Sequence, residues 1–132
     1  MQIHAPAVFD EMVLGPGART ETVLNFRHAD AYVIFDLDGP LAMPWVAEEL
    51  AHEVHRMLEG GRKNLMIDLA DVPYADSAGI GALLAIRSSI QEAGGKLVLL
   101  SPQPRVLHLM ERLRIARIFD FSESEISDFR MP

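Results

Sequence analysis

The chain has 132 residues, 49% hydrophobic and 23% charged, a balance that suits one globular domain with a single core. Its 19 acidic and 12 basic residues give a formal net charge of -7, a field that repels a phosphate backbone and argues against direct nucleic-acid binding. Cysteine is absent, which removes disulfides, thiolate metal sites and cysteine nucleophiles.

Met1 to Asp10 lacks the basic start and long apolar stretch of a signal peptide. Compact apolar runs such as Leu97-Val98-Leu99-Leu100 are strand-sized, far short of a membrane span. The expectation is a cytoplasmic protein with no membrane insertion. Residues 1–20, interrupted by Gly15-Pro16-Gly17, read as an N-terminal extension ahead of a domain over 21–132. Val23 to Phe26 and Tyr32 to Leu37 then read as two strands of a hairpin, rich in aliphatic and aromatic residues. Asp38-Gly39-Pro40 stops the second.

Pro44 to Gly60 predicts a helix, with Val46, Ala47, Leu50, Val54 and Met57 in one stripe and Glu48, His52, His55 and Glu59 opposite. Leu65 to Leu69 is a buried strand, and the loop Asp71 to Asp76 leads to a second helix, Ser77 to Ala93, closed by Gly94-Gly95. Lys96 to Leu100 is another strand. Pro104 to Leu113 is a third helix, with Val106, Leu107, Met110 and Leu113 expected inside, and Ile118, Phe119 and Phe121 suggest a last short strand. The order β-β-α-β-α-β-α-β predicts an α/β fold. Its mixed sheet would have about five strands, an antiparallel hairpin and then parallel βα units, with three to four helices.

Functional residues of open α/β folds gather beyond the carboxyl ends of the strands, where this chain has Asp76-Ser77-Ala78-Gly79. Ser77 falls at the expected N-cap of the second helix, and a cap with no further role is the plain alternative. Helical periodicity turns Gly79, Ile80, Leu83, Ile86 and Ile90 toward the core and sets Ala78, Gly81, Ala85 and Ser88 opposite. A solvated face ordinarily carries long charged side chains, and Gly81 gives up about 1 kcal/mol of helix propensity against alanine. Close approach by another protein explains such a face; so would packing against a second element of the same chain.

From Ile67-Asp68-Leu69 through Asp76-Ser77-Ala78-Gly79-Ile80-Gly81 to Leu84, and again over Gly94-Gly95-Lys96-Leu97-Val98-Leu99-Leu100-Ser101-Pro102, the chain resembles the STAS domain of anti-sigma factor antagonists. Phe35-Asp36-Leu37-Asp38-Gly39-Pro40-Leu41 extends the similarity toward the N-terminus. The resemblance implies a non-enzymatic switch without a cofactor or metal. It would bind an anti-sigma factor that is also a serine kinase, be released when that kinase phosphorylates Ser77, and be restored by a serine phosphatase. The implied partner surface comprises Asp38, Asp76, Ser77, Ala78, Gly81, Ala85 and Ser88. Many relatives carry a second serine where this chain has Ala78, and an acidic residue where it has Ala42. The first difference leaves Ser77 the one acceptor at this turn; the second concerns the partner surface near Leu41.

Other signals point nowhere further. His52 and His55 are three apart, not four as in the zinc-protease helix, and read as a solvated face. Gly79-Ile80-Gly81 lacks the third glycine of a dinucleotide fingerprint. Ala75-Asp76-Ser77-Ala78-Gly79 lacks the Gly-x-Ser-x-Gly elbow of a hydrolase. Trp45 reads as core packing. A receiver domain would need a lysine after its last strand, and none follows Lys96. The competing function is a STAS subunit that does not switch, acting as a scaffold of a signalling assembly or as an accessory of a membrane transporter ATPase.

Overall fold

The structure, a computed structural model, describes residues 2–5, 22–29, 31–42 and 44–123. Strand β1 is Gln2–Ala5, β2 is Thr22–Ala29 and β3 is Tyr32–Asp38. Helix α1 (Pro44–Glu59), β4 (Asn64–Asp71), α2 (Ser77–Glu92), β5 (Lys96–Leu100) and α3 (Pro104–Arg112) follow in alternation. A 3-10 turn, Ala116–Ile118, then precedes β6, Asp120–Ser122. The six strands lie side by side in chain order. The pairs β1–β2 and β2–β3 are antiparallel, and β3 through β6 are parallel.

This is the mixed α/β sheet that the residue pattern predicts, with one strand more. Strand β1 lies within the expected extension and pairs Gln2 with Asn25 through to Ala5 with Thr22. The tail beyond Glu123 lies outside the described residues.

Parallel neighbours in sequential order, joined by right-handed crossovers, place the three α-helices on one face of the sheet. Val33, Phe35, Leu65, Ile67, Leu97 and Leu99 point to that face and pack against Val46, Leu50, Val54, Leu83, Ile86 and Ile90. Because strand side chains alternate, Tyr32, Ile34, Met66, Val98 and Leu100 form a second buried cluster on the opposite face. Trp45 is half-buried against the main core, as expected.

Two helical stripes differ from the periodic reading. In α3, Val106 and Met110 are buried and Leu109 packs on the core, whereas Leu107 is half-buried and Leu113 is 50% exposed. Helix α3 ends at Arg112, so Leu113 no longer follows the inward turn. In α1, Glu53 is buried between the apolar stripe and Arg56, which approaches its carboxylate at 3.5 Å.

Two glycines of α2 behave in opposite ways. A Cβ added at Gly79 would overlap the Leu41 carbonyl and lie 2.8 Å from the Leu41 Cγ; one added at Gly81 meets nothing within 4 Å. Gly79→Ala should therefore destabilise the protein by about 1–3 kcal/mol through overpacking. Gly81→Ala should stabilise it by up to about 1 kcal/mol through helix propensity. Urea denaturation of the two variants beside the wild type reads both signs.

Candidate functional site

Two loops at the carboxyl end of the parallel strands build the region around Ser77. The chain leaving β3 runs beside the chain leaving β4, and backbone hydrogen bonds close the gap. Gly39 N donates to Asp71 O at 3.1 Å, Leu41 N to Tyr74 O at 3.0 Å, and Asp76 N to Leu41 O at 3.2 Å. Leu41 and Ala75 thereby form a parallel bridge beyond the ends of β3 and β4. Gly39 sits at φ 132°, a conformation closed to most side chains. Thr22 Oγ1 donates to Pro40 O at 2.5 Å and holds the same loop from the β2 side.

This frame decides which residue caps α2. Asp76, held extended at φ -111° and ψ -176°, is the N-cap, and its Oδ1 accepts from Gly79 N at 2.9 Å. Ser77 is the first helical residue rather than the cap that the sequence suggests. Aspartate and serine cap about equally well, and the bond from Asp76 N to Leu41 O favours Asp76 by setting its backbone in the cap conformation. The carboxylate also faces the positive end of the helix dipole. Ser77 stands exposed in the first turn. The sequence signal for this arrangement is an acid three residues ahead of Gly79.

Gly81, Ala85 and Ser88 continue from Ser77 as exposed positions of α2, with Ala78 half-buried beside them. Packing inside the domain therefore does not account for this smooth stripe. The apolar side is buried as expected, with Ala82 added to Gly79, Ile80, Leu83, Ile86 and Ile90. Asp38 is exposed at the end of β3, opposite Asp71, on the loop that leads to Leu41. Leu41 and Ala42 are buried, so they support the site from beneath and are not part of its surface.

Beside the loop lies a cleft of about 600 Å³ lined by Tyr74, Ala75, Arg105, His108, Leu109 and Arg112. The Arg105 guanidinium sits 5.3 Å from the centre of the Tyr74 ring, within the range of a cation–π contact. The sequence pattern does not announce this cleft, because Tyr74 and Arg105 come from different crossovers. His52 and His55 are both exposed on α1. Among the described residues no group of three or more His, Asp or Glu side chains is placed to hold a metal ion. No described helix is long and apolar enough to cross a membrane.

The profile of the STAS domain family matches residues 23–127, and the chain belongs to this family. An anti-sigma-B factor antagonist of Listeria monocytogenes is 33% identical over 98 residues, which cover 74% of this chain and 82% of that protein. A crystal structure of an assigned anti-sigma factor antagonist from Thermotoga maritima superimposes with a TM-score of 0.73 at 25% identity, over 80% of this chain and 89% of that one. The Bacillus cell fate determinant SpoIIAA in its phosphorylated form shares the fold, with a TM-score of 0.63 at 16% identity over 79% of this chain and 95% of that one.

Acids crowd the same end of the sheet. On the face opposite the helices, Arg27 pairs with Asp36 at 2.6 Å, and Asp36 is the register partner of Asp68. Burial pushes the Asp68 carboxyl above its usual range, and the neighbouring charges of Asp36 and Asp71 add to the rise. The Ala70 amide, donating at 2.9 Å, pulls it back in part. A carboxyl raised in the folded state contributes stability below its unfolded pKa, 3.8, and loses it as pH rises through the higher folded value. Asp68→Asn should therefore stabilise the protein at pH 7 relative to its effect at pH 3. Equal shifts of the urea midpoint at the two pH values would contradict the assignment.

Proposed function

We propose that the protein is an anti-sigma factor antagonist of a partner-switching pathway. Unphosphorylated, it binds an anti-sigma factor that is also a serine kinase and so releases the sigma factor. Phosphorylation of Ser77 ends the complex, and a serine phosphatase restores the binding form. Asp38, Asp76, Ser77, Ala78, Gly81, Ala85 and Ser88 are the contact residues in this reading, the working unit is residues 21–132, and the setting is the cytoplasm.

One observation carries the proposal. Ser77 is exposed in the first turn of a helix whose capping is already performed by Asp76, and an exposed strip of small residues runs on from it. A serine engaged as the cap would have to leave its amide to be phosphorylated; here the cap and the acceptor are separate residues. A phosphoryl group adds about -1.5 to -2 charge at neutral pH, next to the Asp76 carboxylate and at the head of the flat strip. The helix N-terminus tolerates that charge in the free protein, whereas a partner packed closely on the strip would have to bury it. Modification thus weakens the complex without unfolding the domain. The names of the Listeria and Thermotoga relatives point the same way.

Incubation with the kinase and ATP should raise the intact mass by one phosphate, with no gain in Ser77→Ala. The same mass gain in that variant would place the acceptor elsewhere. Ser77→Asp should fold normally and bind the kinase less tightly than the wild type does. Equal affinity would favour a scaffold that does not switch.

Ala85→Arg tests the strip apart from the serine. Because Ala85 is exposed, the change should alter stability by no more than about 0.5 kcal/mol. A long charged side chain should nevertheless abolish kinase binding. Thermal melting and titration of this one variant read both quantities, and unchanged binding would remove the strip from the interface.

A further inference from the structure

The large hydrophobic side chains exposed among the described residues are Leu113, Ile118 and Phe121, at 50%, 39% and 36%. All three fall in the short segment that closes α3 and enters β6. Arginines are interleaved with them: Arg112, Arg114 and Arg117 are each exposed, against two acids, Glu111 and Asp120, over the stretch from Glu111 to Phe121. In a chain of net charge -7 this is a local reversal of sign. Helix-dipole compensation accounts for Arg112, in the last turn of α3. It does not account for Arg114 and Arg117, which lie beyond the helix.

The backbone at Arg114 is a separate observation. Its φ is 60°, in the left-handed region that glycine or asparagine ordinarily fills at a helix end. Arg114 N donates to Glu111 O and Ile115 N to Met110 O, both at 3.0 Å, so the turn is a regular C-terminal stop with an arginine in the glycine position. The fold would be served better by glycine. What arginine adds there is a guanidinium at the surface.

Clefts also flank α3. The one beside Tyr74 reaches Arg112, and a second of about 480 Å³ is lined by Glu111, Arg114, Ala116 and Arg117. We propose that the end of α3 and the turn into β6 form a second docking surface, separate from the Ser77 face. Its ligand is a short acidic segment of a partner protein, with apolar side chains seated on Leu113, Ile118 and Phe121 and carboxylates paired with Arg114 and Arg117. Bidentate guanidinium–carboxylate pairing gives such a surface its selectivity. An anionic membrane is the less suitable occupant. A lipid plane would also face the acidic remainder of the molecule, whereas a short peptide meets only the charges within a Debye length of about 8 Å.

The test uses the full-length 15N-labelled protein and a synthetic peptide in which glutamate alternates with leucine and phenylalanine. Companion titrations use a lysine-for-glutamate version and phosphatidylglycerol vesicles. The acidic peptide should move the amides of Arg112 to Phe121, and added salt should weaken it. Arg114→Gly should weaken it by about tenfold while leaving the melting temperature equal to or above that of the wild type, because the turn is relieved. Leu113→Ser, at an exposed position, should weaken it as well, and Ser77→Asp should bind it as the wild type does. Amide shifts that are absent or lie elsewhere, equal binding of the lysine peptide, vesicle binding in place of peptide binding, unaltered affinity in Arg114→Gly or Leu113→Ser, or a lowered melting temperature in Arg114→Gly would each overturn the proposal. Loss of peptide binding in Ser77→Asp would also overturn it, by moving the contact to the Ser77 face, which the kinase titrations probe independently.

Discussion

The contact on which the rest of the site depends is the approach of Leu41 to the start of α2. Its amide bonds to Tyr74 O, its carbonyl accepts from Asp76 N, and its side chain packs against Gly79, where no Cβ fits. These interactions join segments far apart in the chain. They extend the β3–β4 pairing past the strands and hold Asp76 in an extended conformation, and the cap and helix direction follow. Ser77 owes its exposure to this arrangement. Without the Leu41 carbonyl beneath it, the turn would have no reason to choose Asp76 over Ser77 as cap.

A second consequence is a division of labour along α2. One side of the helix contributes Ile80, Leu83, Ile86 and Ile90 to the core, and burial there holds the helix against the sheet. The other side presents Gly81, Ala85 and Ser88 to solvent and forgoes the helix-favouring charged residues common on such faces. The core side supplies the stability that a flat outer side does not. In the proposed reading such a surface is sensitive to added charge, because a closely packed partner would leave no room for a phosphoryl group or its water.

Much of the fold is legible in the residues. The βα rhythm, the hairpin, three helices and the apolar sides of α1 and α2 all follow from periodicity and from the glycines and prolines that punctuate it. Strand β1 is not legible in this way, since Gln2-Ile3-His4-Ala5 is short and gains its partners only when Thr22–Asn25 is folded beside it. The buried Glu53 is hidden for a related reason: on a helical wheel it sits at the margin of the stripe, and only the packed neighbours show on which side it falls.

By itself the sequence determined the fold class, the position of the Asp76-Ser77 turn at the carboxyl end of a buried strand, and the small-residue side of α2. Each of these rests on local pattern, and local pattern repeats with the period of the element that carries it. Tertiary structure alone decided that Asp76 caps the helix, that Leu41 and Ala42 support the site from within, and that Tyr74 meets Arg105 across a cleft. It also decided that Leu113 is exposed at the end of α3. Periodicity says which side of an element is apolar. Whether anything lies against that side depends on where separate segments meet in space, and that is settled only when the sheet has formed.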